Sequence, residues 1–157
     1  MDAAQGMAAP TLRLRGVEKV FASGRGDVHA LQGIDLDIAR GEFVSIVGPS
    51  GCGKSTLLKC VAGLETVTGG SLTLDGAAIV APPQDVGIVF QRDALLDWRT
   101  VLDNVLLPVD FRRLRRADWT ARAHELLADF DLDGFADRYP WELSGGMRQR
   151  VAICRGL

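Results

Sequence analysis

The sequence predicts an α/β fold, and three observations carry that expectation. Short segments of alternating polarity fill residues 12–38, a glycine-rich loop then stands between a β-rich run and an amphipathic helix, and beyond about Thr100 the apolar residues recur at helical spacing. The chain has 157 residues, the length of one typical domain. Hydrophobic residues make up 47% and charged residues 24%, with a formal net charge of −2, so the composition is that of a globular protein, neither disordered nor nucleic-acid-binding. Cys52, Cys60 and Cys154 are odd in number and irregular in spacing, which fits neither a disulfide framework nor a zinc site; a reduced, cytosolic setting is the simpler expectation. His29 and His124 have no cysteine or carboxylate at metal-ligand spacing, so neither is expected to be a ligand.

Residues 1–11 lack a basic start and a continuous apolar stretch, and are expected to be a flexible tail rather than a secretory leader. The segments "LRLRGV" and "LQGIDLDI" within Leu12 to Ile38 predict an antiparallel pair. "GEFVSIVG", Gly41 to Gly48, predicts a strand, and "KSTLLKCVAGL" from Lys54 predicts a helix that closes on Gly63. "GSLTLDG" and "DVGIVF" predict two more strands, the second compact and apolar, as in a buried parallel sheet. "TVLDNVLL" and "ADWTARAHELLADF" then predict amphipathic helices, with Trp119, Ala123, Leu126, Leu127 and Phe130 on one apolar face. No apolar run approaches the roughly 18 residues that span a bilayer, so any membrane role is expected to pass through a partner.

The loop "GPSGCGKST" has the pattern of a phosphate-binding loop, G-x-x-x-x-G-K-[ST], in the strand-to-helix setting that pattern requires. Gly48, Pro49, Ser50, Gly51, Cys52 and Gly53 would wrap so that successive N–H groups converge on phosphate oxygens, ahead of the positive end of the following helix. Lys54 would reach the β- and γ-phosphates as a point charge; Ser55, followed by Thr56, would offer its hydroxyl to Mg²⁺. This pattern indicates nucleotide binding without choosing among kinases, GTPases and transport ATPases. A second motif, "LSGGMRQR" from Leu143 to Arg150, places Ser144 as a helix cap, with Gly145 and Gly146 leaving the helix start open to a bulky anion. An ordinary cap after the loop "RYPWE" explains the same residues equally well on physical grounds.

The two motifs together, with "FQ" after an apolar run between them, resemble the ATP-binding cassette (ABC) ATPases over nearly the whole chain. The resemblance implies a P-loop NTPase of ABC type, with an N-terminal antiparallel β layer, an α/β core and a helical subdomain: 12–99 as β layer and loop core, 100–143 helical, 144–157 the signature helix. It implies ATP and Mg²⁺ as cofactors, Gly48 to Thr56 as the Walker A loop, Gln91 as the glutamine near Mg²⁺ and the attacking water, and Phe21 as an adenine-stacking aromatic. It also implies that Leu143, Ser144, Gly145, Gly146, Met147 and Gln149 contact the ATP held by a partner cassette, hence a homodimer or paired cassette. Catalysis would rest on Lys54 and Gln91, with Ser55 and Gln91 at the metal.

The stretch "LLDWRTVLDNVLLP" looks like nitrate, sulfonate and taurine-type importers, although Asp97 stands where those often carry proline. Transmembrane permease subunits, and indirectly a solute-binding protein, are the partners this implies, on the cytoplasmic face of the membrane and without nucleic acid. Family cassettes continue with an apolar strand ending in Asp-Glu and, later, a histidine at the γ-phosphate. This sequence contains none of these, so an incomplete, hydrolytically inactive cassette with an unfinished core sheet is expected. A non-catalytic nucleotide-binding fragment and a non-transport ABC ATPase are the alternatives; a small P-loop kinase would leave "LSGGMRQR" unexplained. The run Arg112–Arg116 reads as a solvated helix face, with a membrane subunit or acidic headgroups as the other reading.

Overall fold

A computed structural model of the chain describes residues 11–24, 26–84 and 86–157. All but the last residue of the tail expected over 1–11 lies outside the described residues. The element order is β1 (Leu12–Phe21), β2 (Val28–Ile38), α1 (Lys54–Val61), β3 (Gly69–Leu74), β4 (Ala77–Ala78), α2 (Val101–Val105), α3 (Leu107–Phe111), α4 (Ala117–Asp129) and α5 (Gly145–Gly156), with 3₁₀ turns at Asp133–Phe135 and Pro140–Glu142. The chain divides into two compact units, 1–86 and 87–157.

The first unit is built on a four-stranded antiparallel sheet in the order β2-β1-β3-β4. The expected pair forms, with Leu12 opposite Ile38 and Phe21 opposite Val28. Strand β1 changes phase along its length: Leu12 and Leu14 face the core, then Val17 and Lys19 do. The spare residue is at Gly16, whose φ of 53° makes the bulge and whose N–H is held by the Asp35 carboxylate at 2.8 Å. Gly70 crosses the bulge so closely that a Cβ there would lie 2.2 Å from the Gly16 carbonyl. Leu57 and Cys60 of α1 close the core over Leu14, Val17, Leu31 and Leu72.

Two expected strands are corrected. Neither 41–48 nor the described part of "DVGIVF", 86–90, is regular β structure, and Phe43 and Val47 stand 93% and 87% exposed. An extended segment has no internal hydrogen bonds, so β-prone residues become a strand only beside a neighbouring strand. Among the described residues neither segment is paired into a sheet.

The second unit is helical. Val101, Val105, Val109, Leu126, Leu127 and Val151 are central to its core. The periodicity of α4 is observed for Ala123, Leu126 and Leu127, but Trp119 in its first turn is 45% exposed, contrary to the sequence expectation: the core lies against the later turns of the helix. Three helices end alike. The residue after the cap turns left-handed, and two N–H groups reach back: Gly63 and Leu64 to Cys60 and Lys59, Arg113 and Leu114 to Asp110 and Val109, Asp131 and Leu132 to Ala128 and Leu127. Only the first of these ends carries glycine.

Arg116 pairs with Asp103 at 2.6 Å and Asp110 at 3.0 Å, and Arg99 also meets Asp110 at 2.5 Å. The hydrogen bond from Arg116 holds the Asp103 carboxyl below its ordinary value of 3.8. Because the folded value is the lower one, this contribution is complete above the ordinary range and disappears as pH falls through the depressed value. Replacing Arg116 with Gln is therefore expected to flatten the stability loss on acidification below about pH 4, measured by urea unfolding across pH. The helix ends give a second test. Gly63→Ala is expected to cost at least about 1–2 kcal/mol, from the left-handed backbone and from a Cβ 2.4 Å from the Ala81 carbonyl, whereas Asp131→Gly should gain about 0.5 kcal/mol in the same unfolding measurement.

Candidate nucleotide site and signature helix

The loop before α1 owes its path to two left-handed glycines, Gly51 at φ 82° and Gly53 at φ 95°. Gly53 is constrained twice, because a Cβ there would also stand 2.3 Å from the Ala30 carbonyl of β2. It is the N-cap of α1 and offers no side chain to the first-turn amides. The N–H groups that open a helix have no intrahelical acceptor, so the loop presents uncapped donors at the positive end of α1. The Lys54 ammonium lies across the loop, donating to the carbonyls of Gly48 at 2.8 Å and Pro49 at 2.7 Å and lying 3.6 Å from the Cys52 sulfur. Ser50 and Ser55 are exposed and Thr56 is half-buried. This is a cationic loop with uncapped backbone donors, suited to an anion carrying several oxygens.

Phe21 ends β1 opposite Val28, two residues along β2 from the Ala30 that backs Gly53. One strand thus links the aromatic to the loop, about 7 Å apart along β2. The ring is 38% exposed, and the Lys19 ammonium stands 4.8 Å from its centroid. Lys19 is itself buried, donating to the Thr66 carbonyl at 2.7 Å and paired with Glu65 at 3.1 Å.

In the second unit the chain enters α5 through a fixed turn. Glu142 accepts from the Tyr139 N–H at 2.7 Å and from Arg138 at 2.9 Å, which hold its carboxyl below the usual range. The Tyr139 and Trp141 rings stack, 4.5 Å between centroids. Leu143 is buried in the core, and Met147 packs partly against it. Ser144 caps α5: its hydroxyl accepts from the Met147 N–H at 3.3 Å. Gly145 and Gly146 are exposed, and a Cβ on either would meet nothing within 4 Å. Among the described residues nothing crowds these two positions, and the space beside them is open.

Three α5 side chains bind the segment that carries Gln91. Gln149 donates to the Gln91 carbonyl at 2.7 Å, Arg148 pairs with Asp93 at 3.0 Å, and Arg155 donates to the carbonyls of Asp93 and Ala94, both at 2.8 Å. The Gln91 residue remains exposed. Asp93, Arg148 and Arg155 were absent from the sequence-based candidates; the available signal was two arginines seven positions apart, on one helix face. Asn104 was also missed. Fully buried, it accepts from the Leu96 N–H at 2.8 Å and donates to the carbonyls of Leu96, Arg99 and Thr100, pinning the segment that follows Gln91.

The loop with Phe21 belongs to the first unit; Gln91 and the α5 start belong to the second. Among the described residues no three His, Cys, Asp or Glu side chains are grouped to hold a metal ion, and no helix is long and apolar enough to cross a membrane.

Residues 31–157 match the model of the ABC transporter family. The chain is 52% identical over 138 residues to a taurine import ATP-binding protein, TauB, of Rhizobium johnstonii, covering 87% of this chain and 53% of that protein. It is 47% identical over 152 residues to an aliphatic sulfonates import ATP-binding protein, SsuB 2, of Burkholderia cenocepacia, covering 97% and 53%. The chain thus spans about half the length of these curated relatives. Among solved structures, a dimeric post-hydrolysis state of the ATP-binding cassette MJ0796 bound to ADP and Pi superimposes with a TM-score of 0.83 at 37% identity, covering 93% of this chain and 68% of that one.

Asn104→Leu is expected to destabilise the second unit by about 1–3 kcal/mol, since it leaves part-buried backbone groups of Leu96, Arg99 and Thr100 without the fully buried side chain that bonds them. Faster amide hydrogen exchange at residues 96–100 would check the local effect.

Proposed function

This chain belongs to the ABC transporter family, and from that membership we propose that it is the nucleotide-binding part of an importer's ATPase subunit, which couples ATP binding and hydrolysis to solute movement through transmembrane permease subunits. The observation that carries this reading is the uncapped α1 start, with Lys54 lying across its loop. On nucleotide binding, Lys54 would exchange the carbonyls of Gly48 and Pro49 for β- and γ-phosphate oxygens, which are stronger, charged acceptors. Amides of Gly48 to Thr56 would hold the remaining oxygens, and Phe21 would stack on the base. Mg²⁺ fits the exposed Ser55 hydroxyl together with phosphate oxygens; with no carboxylate cluster among the described residues, the protein would supply few of its ligands. Gln91 would approach this ion and the attacking water.

Leu143, Ser144, Gly145, Gly146, Met147 and Gln149 form the half-site for nucleotide held by a second cassette. The open space at Gly145 and Gly146 supports that role, because a phosphate could approach the α5 backbone directly. The layout is β layer and loop core over 12–99, helical subdomain over 100–143 and signature helix over 144–157. The taurine and sulfonate relatives favour a small solute bearing a sulfonate group as cargo, delivered by a solute-binding protein, with the cassette on the cytoplasmic face of the membrane.

Hydrolysis needs charge neutralisation and an oriented water, and we assign it to a longer parent that also carries the Asp-Glu strand and the histidine.

Lys54→Ala is expected to weaken nucleotide binding about 10- to 100-fold, from the loss of charge-assisted hydrogen bonds, and to abolish turnover in the parent. Ser144→Arg should leave nucleotide binding intact and prevent ATP-dependent dimerisation. Fluorescent-nucleotide titration and size-exclusion chromatography separate the two effects; unchanged affinity in the first variant would overturn the assignment.

A further inference from the structure

Residues 111–119, "FRRLRRADW", are all exposed, although they join two helices whose other faces are in the core. Phe111 is 78% exposed, Leu114 42% and Trp119 45%, and four arginines lie between them against a single acid, Asp118. Arg116 is held by Asp103 and Asp110 and fixes the start of α4. Arg113 and Arg115 have no ion-pair partner among the described residues. The net charge of the chain is −2, so this cationic patch is a local feature. Arg113 sits at a left-handed φ of 55°, where glycine fits the backbone better. A cation is thus present at a position that local conformation disfavours.

Large apolar side chains and arginines interleaved on one exposed stretch match a water–lipid interface. Aromatic rings settle at headgroup depth, and guanidinium groups pair with phosphates around them. An acidic protein surface would need carboxylates at set positions and would leave Phe111 and Trp119 to find separate apolar pockets. A lipid surface offers both chemistries at any spacing. We propose that residues 111–119 are a docking surface for anionic lipid, with Arg113 and Arg115 among the headgroup phosphates and Phe111 and Trp119 at the interface. This contact needs neither nucleotide nor permease, so it stands or fails separately from the function proposed above.

The test is sedimentation of the 157-residue chain with vesicles of phosphatidylcholine alone or mixed with phosphatidylglycerol. Binding should be at least about tenfold stronger to the mixed vesicles and weaken with added salt. The Arg113→Glu/Arg115→Glu variant, shown folded by circular dichroism, should lose that preference, and Trp119 emission should shift to the blue on binding but not in Phe111→Ser. Trp98→Phe/Trp141→Phe supplies the background for that signal. Equal binding to both vesicle types, or a preference that survives charge reversal, would overturn the proposal. So would absence of vesicle binding, including the case in which the chain is retained by an acidic polypeptide instead.

Discussion

Much of the first unit depends on the contact between Gly53 and the Ala30 carbonyl. It brings the edge strand β2 against the start of α1 at a distance no side chain survives, and at a backbone angle that other residues adopt only at a cost. From this contact follow the direction in which α1 leaves its loop and the absence of a side-chain cap. An ordinary serine or aspartate cap would satisfy one of the opening amides, and a more stable helix would offer one donor fewer to a ligand. Local stability is given up here for the ability to hold an outside anion, as functional sites often require.

The second unit answers a different demand. Its segment 91–94 has little apolar content to anchor it, and α5 supplies the anchor through polar groups: a glutamine to one carbonyl, an arginine to a carboxylate, another arginine to two carbonyls. Asn104 acts similarly on 96–100. Such irregular segments cannot bond to themselves in a regular ladder, so side chains from rigid helices must take up their backbone groups. The residues that begin α5 and those that surround Gln91 therefore share one support.

Legibility in the sequence followed how local each cause is. The loop pattern, the closure at Gly63 and the Ser144 cap arise from neighbours a few residues apart, and the β1–β2 pair from two alternating segments consecutive in the chain; all are visible in the string. The strands expected at 41–48 and over "DVGIVF" failed because strand formation is decided by a partner, which residue preference cannot report. Trp119 was misplaced for a related reason: helical period identifies a face, but which turns of that face meet the core is a tertiary fact. Arg148, Arg155 and Asp93 escaped notice because their partners are 55–62 positions apart. Resemblance to a family covered part of this gap, naming Gln91 and the signature residues that spacing alone left as an ordinary polar residue and an ordinary helix start.

The bulge at Gly16 has a consequence best put as parity. Without the spare residue, strict alternation from Leu12 and Leu14 would turn Gly16, Glu18 and Val20 inward in place of Val17 and Lys19. The inward group nearest Glu65 would then be a carboxylate rather than an ammonium, setting like charges together and removing the cation from beside Phe21. One uncounted residue therefore chooses the sign of the charge buried beneath the strand end.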